Sequence, residues 1–212
     1  CRIFITKIEM FSDYGNLEPF RLIARDGYVD YLPHFLNAQR ALLLFEQLVN
    51  EPTFQQNEII LFGKKIKVPR LEAYYALDGA SYGYSGQQLK VEKFPTYLNE
   101  LRLEIENQTG YAYNALLVNY YRDGHDSNGW HADNEKVLGQ NPSIASLSLG
   151  AERLFELKHM ATGAKKKLLL ANGSLLHMHG ALQHHYKHQL PKSKDVLTTR
   201  LNLTFRWVQP SL

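Results

Sequence analysis

The sequence predicts an α+β domain whose core is a double-sheeted barrel or jelly roll. Three observations carry this. Both clear helical patterns fall in the first half of the chain, and everything after Tyr111 breaks into short apolar or alternating runs separated by turn residues. No repeat, low-complexity tract or long linker divides the 212 residues. A hydrophobic fraction of 44% is enough for one sizeable core.

Taken in order, residues 1–18 (CRIFITKIEMFSDYGNLE) read as an N-terminal extension or fragment edge, and 19–212 as a single domain. Asn37–Asn50 is rich in Leu, Ala, Gln and Glu and stops short of Pro52, which predicts a helix. Glu58–Val68 (EIILFGKKIKV) predicts a hairpin turning at Gly63-Lys64, with Phe62 at its tip beside Lys64 and Lys65. Thr96–Glu106 places Leu98, Leu101 and Ile105 at helical spacing. The predicted strands that follow are Ala115–Tyr121, Ile144–Leu149, Arg153–Lys158, Lys167–Leu170, Ser174–Met178 and Arg200–Val208.

Composition removes several classes of function. A single cysteine excludes a disulfide framework and a cysteine-based zinc site. No apolar run approaches the roughly 20 residues that span a bilayer, so no membrane partner is expected. A net charge of +3 favours contact with phosphates without diagnosing it.

The chemistry lies in the second half. His131-Ala132-Asp133 puts a histidine and a carboxylate on one side of an extended chain, because alternate residues share a face. A third ligand has to come from His177-Met178-His179 or from His184-His185-Tyr186-Lys187-His188. His188 is preferred: Arg200 follows 12 residues later, room for a turn and a return strand that would set metal and arginine on neighbouring strands. His185 is the alternative. Two histidines and one carboxylate leave coordination positions open, a set suited to non-haem Fe(II) and oxygen, with zinc the other candidate metal. On a strand, Arg200, Asn202, Thr204 and Arg206 share a face. Two guanidiniums inside a barrel are costly unless an anion or an acidic side chain of the fold meets them. A bidentate arginine suits a dicarboxylate co-substrate.

The ordered run Asn119-Tyr-Tyr121-Arg-Asp-Gly124, Gly129-Trp-His131-Ala-Asp133-Asn-Glu135, Ile144-Ala-Ser146-Leu-Ser148-Leu-Gly150, Gly173-Ser174, His188 and Arg200-Leu-Asn202-Leu-Thr204-Phe-Arg206 resembles the AlkB family of Fe(II)/2-oxoglutarate-dependent dioxygenases. The likeness covers roughly residues 52–208 and is greatest to the DNA-repair, duplex-acting dealkylase branch. It implies a double-stranded β-helix (jelly-roll) core over 111–208, N-terminal helices, and a hairpin-bearing nucleotide-recognition lid over 52–95. It further implies that His131, Asp133 and His188 bind Fe(II). Arg200 would hold the distal carboxylate of 2-oxoglutarate with help from Tyr121 and Asn202, and Asn119 and Arg206 would lie at the end nearer the iron.

For the substrate, the resemblance implies that Tyr82, in the lid segment Ser81–Gly86, stacks on a flipped base with His131 on its other face. Glu135 would accept a hydrogen bond from an exocyclic amino group. Phe62 would be a wedge filling the gap left in the duplex, Arg70 a nearby backbone contact, and Lys165-Lys166-Lys167 a source of phosphate attraction. The implied reaction is oxidative demethylation of N1-methyladenine and N3-methylcytosine in DNA. It releases formaldehyde while 2-oxoglutarate and O2 become succinate and CO2. The expected partner is duplex DNA carrying a flipped alkylated base, with single-stranded DNA, RNA or a protein side chain as further substrates to test. A non-catalytic nucleic-acid-binding module is the alternative of a different class. A monomer is expected, intracellular, in the cytoplasm or nucleoid of a bacterium or the nucleus of a eukaryote.

Overall fold

Short alternating runs can bury one face each only by stacking, and the chain resolves them into two facing sheets. The computed structural model describes residues 18–51, 53–61, 63–77, 83–84, 87–88 and 90–209. In chain order the elements are β1 (Phe20–Ile23), β2 (Tyr28–Leu32), α1 (Ala38–Val49), β3 (Glu58–Leu61), β4 (Lys64–Lys67), β5 (Leu71–Ala76), β6 (Gly83–Tyr84), β7 (Gln87–Gln88), β8 (Val91–Glu92) and α2 (Thr96–Thr109). Then come β9 (Ala115–Tyr121), β10 (Asn128–His131), β11 (Ile144–Gly150), β12 (Arg153–His159), β13 (Lys165–Leu170), β14 (Leu175–His179), α3 (Leu182–His185), β15 (Tyr186–Leu190) and β16 (Arg200–Arg206). The major sheet runs β1-β2-β14-β11-β16-β9-β5-β8 and the minor sheet β10-β15-β12-β13, with β3-β4 and β6-β7 as separate hairpins.

Each strand of the major sheet divides its side chains between two jobs. Leu147, Leu149, Leu201, Leu203, Phe205, Leu116 and Val118 point to one face and pack against Leu48 of α1 and Leu98, Leu101 and Ile105 of α2. Each such burial contributes about 1.5–3 kcal/mol. The opposite face meets the minor sheet, where Ile144, Leu176 and Met178 pack with Phe155, Leu157 and Leu168. The helices are tied together by Arg40, whose guanidinium donates both ways to the Glu104 carboxylate (3.0 and 2.7 Å).

The predicted helices and strands recur with shifted ends. The α2 helix runs three residues past Glu106 to Thr109. There the Thr109 hydroxyl donates to the Ile105 carbonyl (2.8 Å), and Gly110 ends the helix at φ +76°. Lys64 stands in β4 opposite Leu61, so it belongs to a strand and not to the hairpin turn. The strand predicted from Lys167 starts at Lys165, its side chain row continued by Lys158 across the ladder. The larger difference concerns the first half of the chain. β1, β2, β5 and β8 all precede residue 111 and extend the major sheet, so strands come before as well as after the helices, while the eight strands β9–β16 of the double-sheeted core fall within 111–208. Phe62 of the expected wedge and Tyr82 of the expected lid lie outside the described residues.

Candidate active site

The two sheets divide the site between them. On the minor sheet, β10 and β15 pair with His131 directly opposite His188. Their ring centroids are 4.2 Å apart. Asp133, two residues on, is held by its own backbone N–H, which donates to Gln183 Oε1 of α3 (3.0 Å). The ligand-bearing atoms of His131, Asp133 and His188 all lie within 4.8 Å of one another, which is the spacing of a set that can hold a metal ion.

Each ligand is prepared by its surroundings. The Gly129 carbonyl can only accept, so the 2.7 Å contact to His131 Nδ1 requires the proton on that nitrogen; the lone pair is then on Nε2, where it accepts from the Asn128 amide (3.3 Å) and where a metal would take it. His188 is buried, and burial, with His131 beside it, pushes its imidazole down to about 3, so it stays neutral as a ligand must. Its Nδ1 has no hydrogen-bond partner among the described residues. Burial alone would raise the Asp133 carboxyl, but Arg206, His188 and His131 overrule it and hold it well below the usual carboxylate range. Arg206 Nη2 donates to Asp133 Oδ2 at 3.0 Å.

On the major sheet, β16 presents Arg200, Asn202, Thr204 and Arg206 to the same cleft of about 530 Å³ that the metal-binding side chains line. Arg200 is 1% exposed. Its Nη2 donates to Ser148 Oγ at 3.0 Å, while Nε and Nη1 have no acceptor with hydrogen-bonding geometry among the described residues. The guanidinium lies 5.3 Å from the Tyr121 ring centroid, with buried Arg153 6.0 Å from the same ring. Burial lowers Arg200 to about 10, Tyr121 opposing and Arg153 adding to the fall, so it is still a cation at neutral pH. A buried cation with two undirected N–H groups beside a second cation is a site for an anion, and its planar fork suits a carboxylate. Asn202 donates to Ser146 Oγ and the Leu147 carbonyl (2.7 and 3.1 Å).

Metal ligands and Arg200 therefore do not sit on neighbouring strands. β15 belongs to the minor sheet and β16 to the major one, and residues 191–199 cross between the sheets. That crossing packs on the β9–β10 loop at Gly124, where a Cβ would come within 1.9 Å of the Ser193 carbonyl oxygen. Facing sheets, not adjacent strands, bring the two halves together.

The remaining expected residues are placed unevenly. Asn119, Tyr121 and Glu135 line the cleft. Arg70 does too, but it is only 7% exposed and is held by Glu72 Oε1 (2.8 Å) and Asn119 Oδ1 (2.7 Å), not presented on the surface. It also reaches Asn128 Oδ1 (3.3 Å), whose amide nitrogen approaches His131 Nε2 (3.3 Å), so Arg70 braces the strand that carries a ligand. His185 is drawn away into a separate group with Asp26 and His159. Gln183, Arg153 and Asn128 were not foreseen, and Ser148 appeared only as a member of the alternating run Ile144–Gly150. Nothing periodic marks the first three; Gln183 and Arg153 are buried and Asn128 is half-buried beside charged groups.

Fold and donor set together define an oxygenase that uses Fe(II) and 2-oxoglutarate. The chain belongs to the 2OG-Fe(II) oxygenase superfamily, whose family model matches residues 28–206, and its relatives lie in the AlkB family. It is 36% identical over 210 residues to the Bos taurus DNA oxidative demethylase ALKBH2, covering 94% of this chain and 75% of that protein. To the Mus musculus protein of the same name it is 38% identical over 174 residues, 78% of this chain and 73% of the relative. To the Bos taurus alpha-ketoglutarate-dependent dioxygenase alkB homolog 3 it is 36% identical, with 84% of this chain covered; the chain spans 65% of the length of that relative. The solved structure of OsALKBH1 superposes with a TM-score of 0.62 at 17% identity, covering 89% of this chain and 100% of the other, which supports the fold.

The buried histidines set a pH limit on the metal-free protein. His188 at about 3 and His177 at about 4, both lowered chiefly by burial, carry no proton in the fold but take one near pH 6.5 when unfolded. Their contribution is intact above that pH and is lost as pH falls towards their folded values. At pH 5 the loss is about 2 kcal/mol for each. Urea unfolding of the chelator-treated protein at pH 7.5 and 5 checks this; equal stability at the two values would contradict the buried neutral state.

Proposed function

We propose that this chain removes alkyl groups oxidatively from DNA bases, N1-methyladenine and N3-methylcytosine foremost. The observation that carries the reading is the meeting, in one cleft, of a His131-Asp133-His188 set with a buried Arg200 whose Nε and Nη1 lack acceptors among the described residues. A site that binds metal alone has no use for that arginine. The relatives named DNA oxidative demethylase support nucleic acid as the substrate class.

In this reading His131, Asp133 and His188 hold Fe(II), and Arg200 takes the distal carboxylate of 2-oxoglutarate, with Tyr121 and Asn202 beside it and Asn119 and Arg206 towards the metal. When bound, iron couples the oxidation of 2-oxoglutarate by O2 to succinate and CO2 with insertion of the second oxygen atom into a C–H bond of the N-alkyl group. The protein supplies position and charge. Arg206 keeps the Asp133 carboxylate ionised, and Gln183 fixes its backbone. Glu135, lining the cleft, sets a negative charge near a base that methylation has made cationic. Tyr82 and the His131 ring stack on the flipped base, and Phe62 fills the gap it leaves. The hydroxymethyl group then leaves as formaldehyde: the C–N electron pair stays on the ring nitrogen, which becomes neutral, and the hydroxyl proton passes to water.

The test is formaldehyde release from a duplex oligonucleotide with one N1-methyladenine, given Fe(II), ascorbate and 2-oxoglutarate. Release by the native chain and none by Asp133→Ala is expected. Succinate without formaldehyde would move the substrate to RNA or protein, and no succinate at all would leave a nucleic-acid-binding module. Phe62→Ala should weaken activity on duplex more than on single-stranded DNA; equal losses would remove the wedge role.

A further inference from the structure

A second histidine–carboxylate group lies on the other side of the major sheet from the catalytic cleft. In the β14–β2 ladder His177 stands directly opposite Asp30, and His179 follows two residues along. By strand alternation all three share the face on which α2 packs, while Met178 between the histidines points into the catalytic cleft. Their ligand-bearing atoms lie within 4.8 Å of one another. The group opens onto a hollow of about 600 Å³ bordered by Gln108 and Thr109 at the C-terminal end of α2. From this geometry we propose that Asp30, His177 and His179 form a second metal site, for a divalent transition-metal cation of the zinc class.

Hydrogen-bond direction fixes which nitrogen His177 offers. The Thr109 hydroxyl spends its one proton on the Ile105 carbonyl (2.8 Å), so it accepts from Tyr113 (3.1 Å). Tyr113 oxygen then accepts from Ser143 (2.9 Å), and Ser143 Oγ must accept from His177 Nε2–H (2.8 Å). The Nδ1 lone pair of His177 is left with no hydrogen-bond partner among the described residues and no proton competing for it, since burial, with help from His179 and Arg21, holds the ring neutral down to about pH 4. An outer partner on one ring nitrogen and a lone pair on the other is how a ligating histidine is oriented. His179 Nε2 shares a proton with Asp30 Oδ2 at 2.9 Å. A cation replaces that proton, which moves to His179 Nδ1.

The surroundings favour occupancy. The two imidazoles are parallel within 10° at 4.3 Å, and Tyr28 and Tyr111 wall them at 5.0 and 5.4 Å. The last turn of α2 has no basic residue, so the negative end of its dipole is left for a cation. Arg21 is the opposing charge, paired with both oxygens of Asp30 (2.6 and 2.9 Å). The Asp26-His159-His185 group offers no such opening. His159 Nδ1 already accepts from the Thr162 N–H (3.2 Å), and its Nε2 is committed to Asp26 (3.0 Å). Two nitrogens and one oxygen bind zinc ahead of Fe(II) in the usual order of affinities, so zinc is the sharper probe.

The experiment is zinc binding to the untagged, chelator-stripped chain, followed by calorimetry and by metal content after gel filtration, with circular dichroism as the check on folding. The native chain should take up two equivalents. His179→Ala and Asp30→Asn should each lose one, their second-site affinity falling by more than the roughly 10–100-fold typical of outer-shell changes, and Ser143→Ala should fall within that range. Arg21→Ala should strengthen the second site about fivefold by removing the competing cation. A single equivalent in the native chain, a second equivalent that survives His179→Ala, or an affinity that does not rise in Arg21→Ala would each overturn the proposal.

Discussion

Asp133→Ala is expected to remove turnover and metal together, with a loss larger than the roughly 10–100-fold that an outer-shell change costs. Two effects coincide at this residue. Among the described residues the carboxylate is one of three protein groups in its metal-binding set. It is also the acceptor for Arg206, and both side chains are nearly inaccessible, 5% and 8% exposed. Breaking a buried pair by removing one partner costs about 3–5 kcal/mol, so the variant should also unfold at lower urea concentration without any metal present. Asp133→Asn separates the contributions. It keeps the size and the backbone bond to Gln183 but loses the charge, so metal affinity and the Arg206 interaction should fall while packing is retained. Iron content, succinate formation and urea midpoints of both variants are the measurements. A variant that keeps its iron and turns over within tenfold of the native chain would show that this carboxylate is not a ligand.

Much of this centre was legible because its strands are strongly marked. In β9, β11 and β16 apolar residues fill one face completely, and that regularity makes polar intruders such as Asn119, Arg200 and Arg206 stand out as deliberate. The motif carrying His131 and Asp133 was equally visible. The strands that bear the histidines were harder. β10 (NGWH) and β15 (YKHQL) carry too few apolar residues to read as strands, and only pairing with each other and with β12 explains their conformation. Without them the sheet assignment of His188 could not be read, and the neighbouring-strand geometry drawn from the 12-residue spacing to Arg200 was wrong for that reason. β2 joins the major sheet through a ladder to residues more than 140 positions away in sequence, where local patterns carry no information, and β1 follows by pairing with β2. Gln183 is the plainest omission. A buried glutamine on a four-residue helix has no periodic signature, yet it holds the backbone of a metal-binding residue.

Arg200→Lys separates the co-substrate half of the site from the metal half. Lysine keeps the charge but replaces a planar fork with a single ammonium, so it cannot both donate to Ser148 and meet two carboxylate oxygens in a plane. One charge-assisted hydrogen bond is worth about 1.5–3 kcal/mol, which predicts a KM for 2-oxoglutarate raised about 10- to 150-fold. The reacting atoms lie at the other end of the cleft, so kcat at saturating 2-oxoglutarate and the KM for nucleic acid should change little; a uniform loss of ground-state and transition-state binding raises KM alone. Arg206→Lys should behave in the opposite way, since Arg206 bonds Asp133, and it should weaken iron retention more than it raises the KM for 2-oxoglutarate. Succinate formation at varied 2-oxoglutarate, with iron content measured in parallel, distinguishes the two. If Arg200→Lys left that KM unchanged, the acceptorless N–H groups of Arg200 would not be the co-substrate's anchor. The dicarboxylate would then have to be held by Asn119 and Arg206 at the metal end alone.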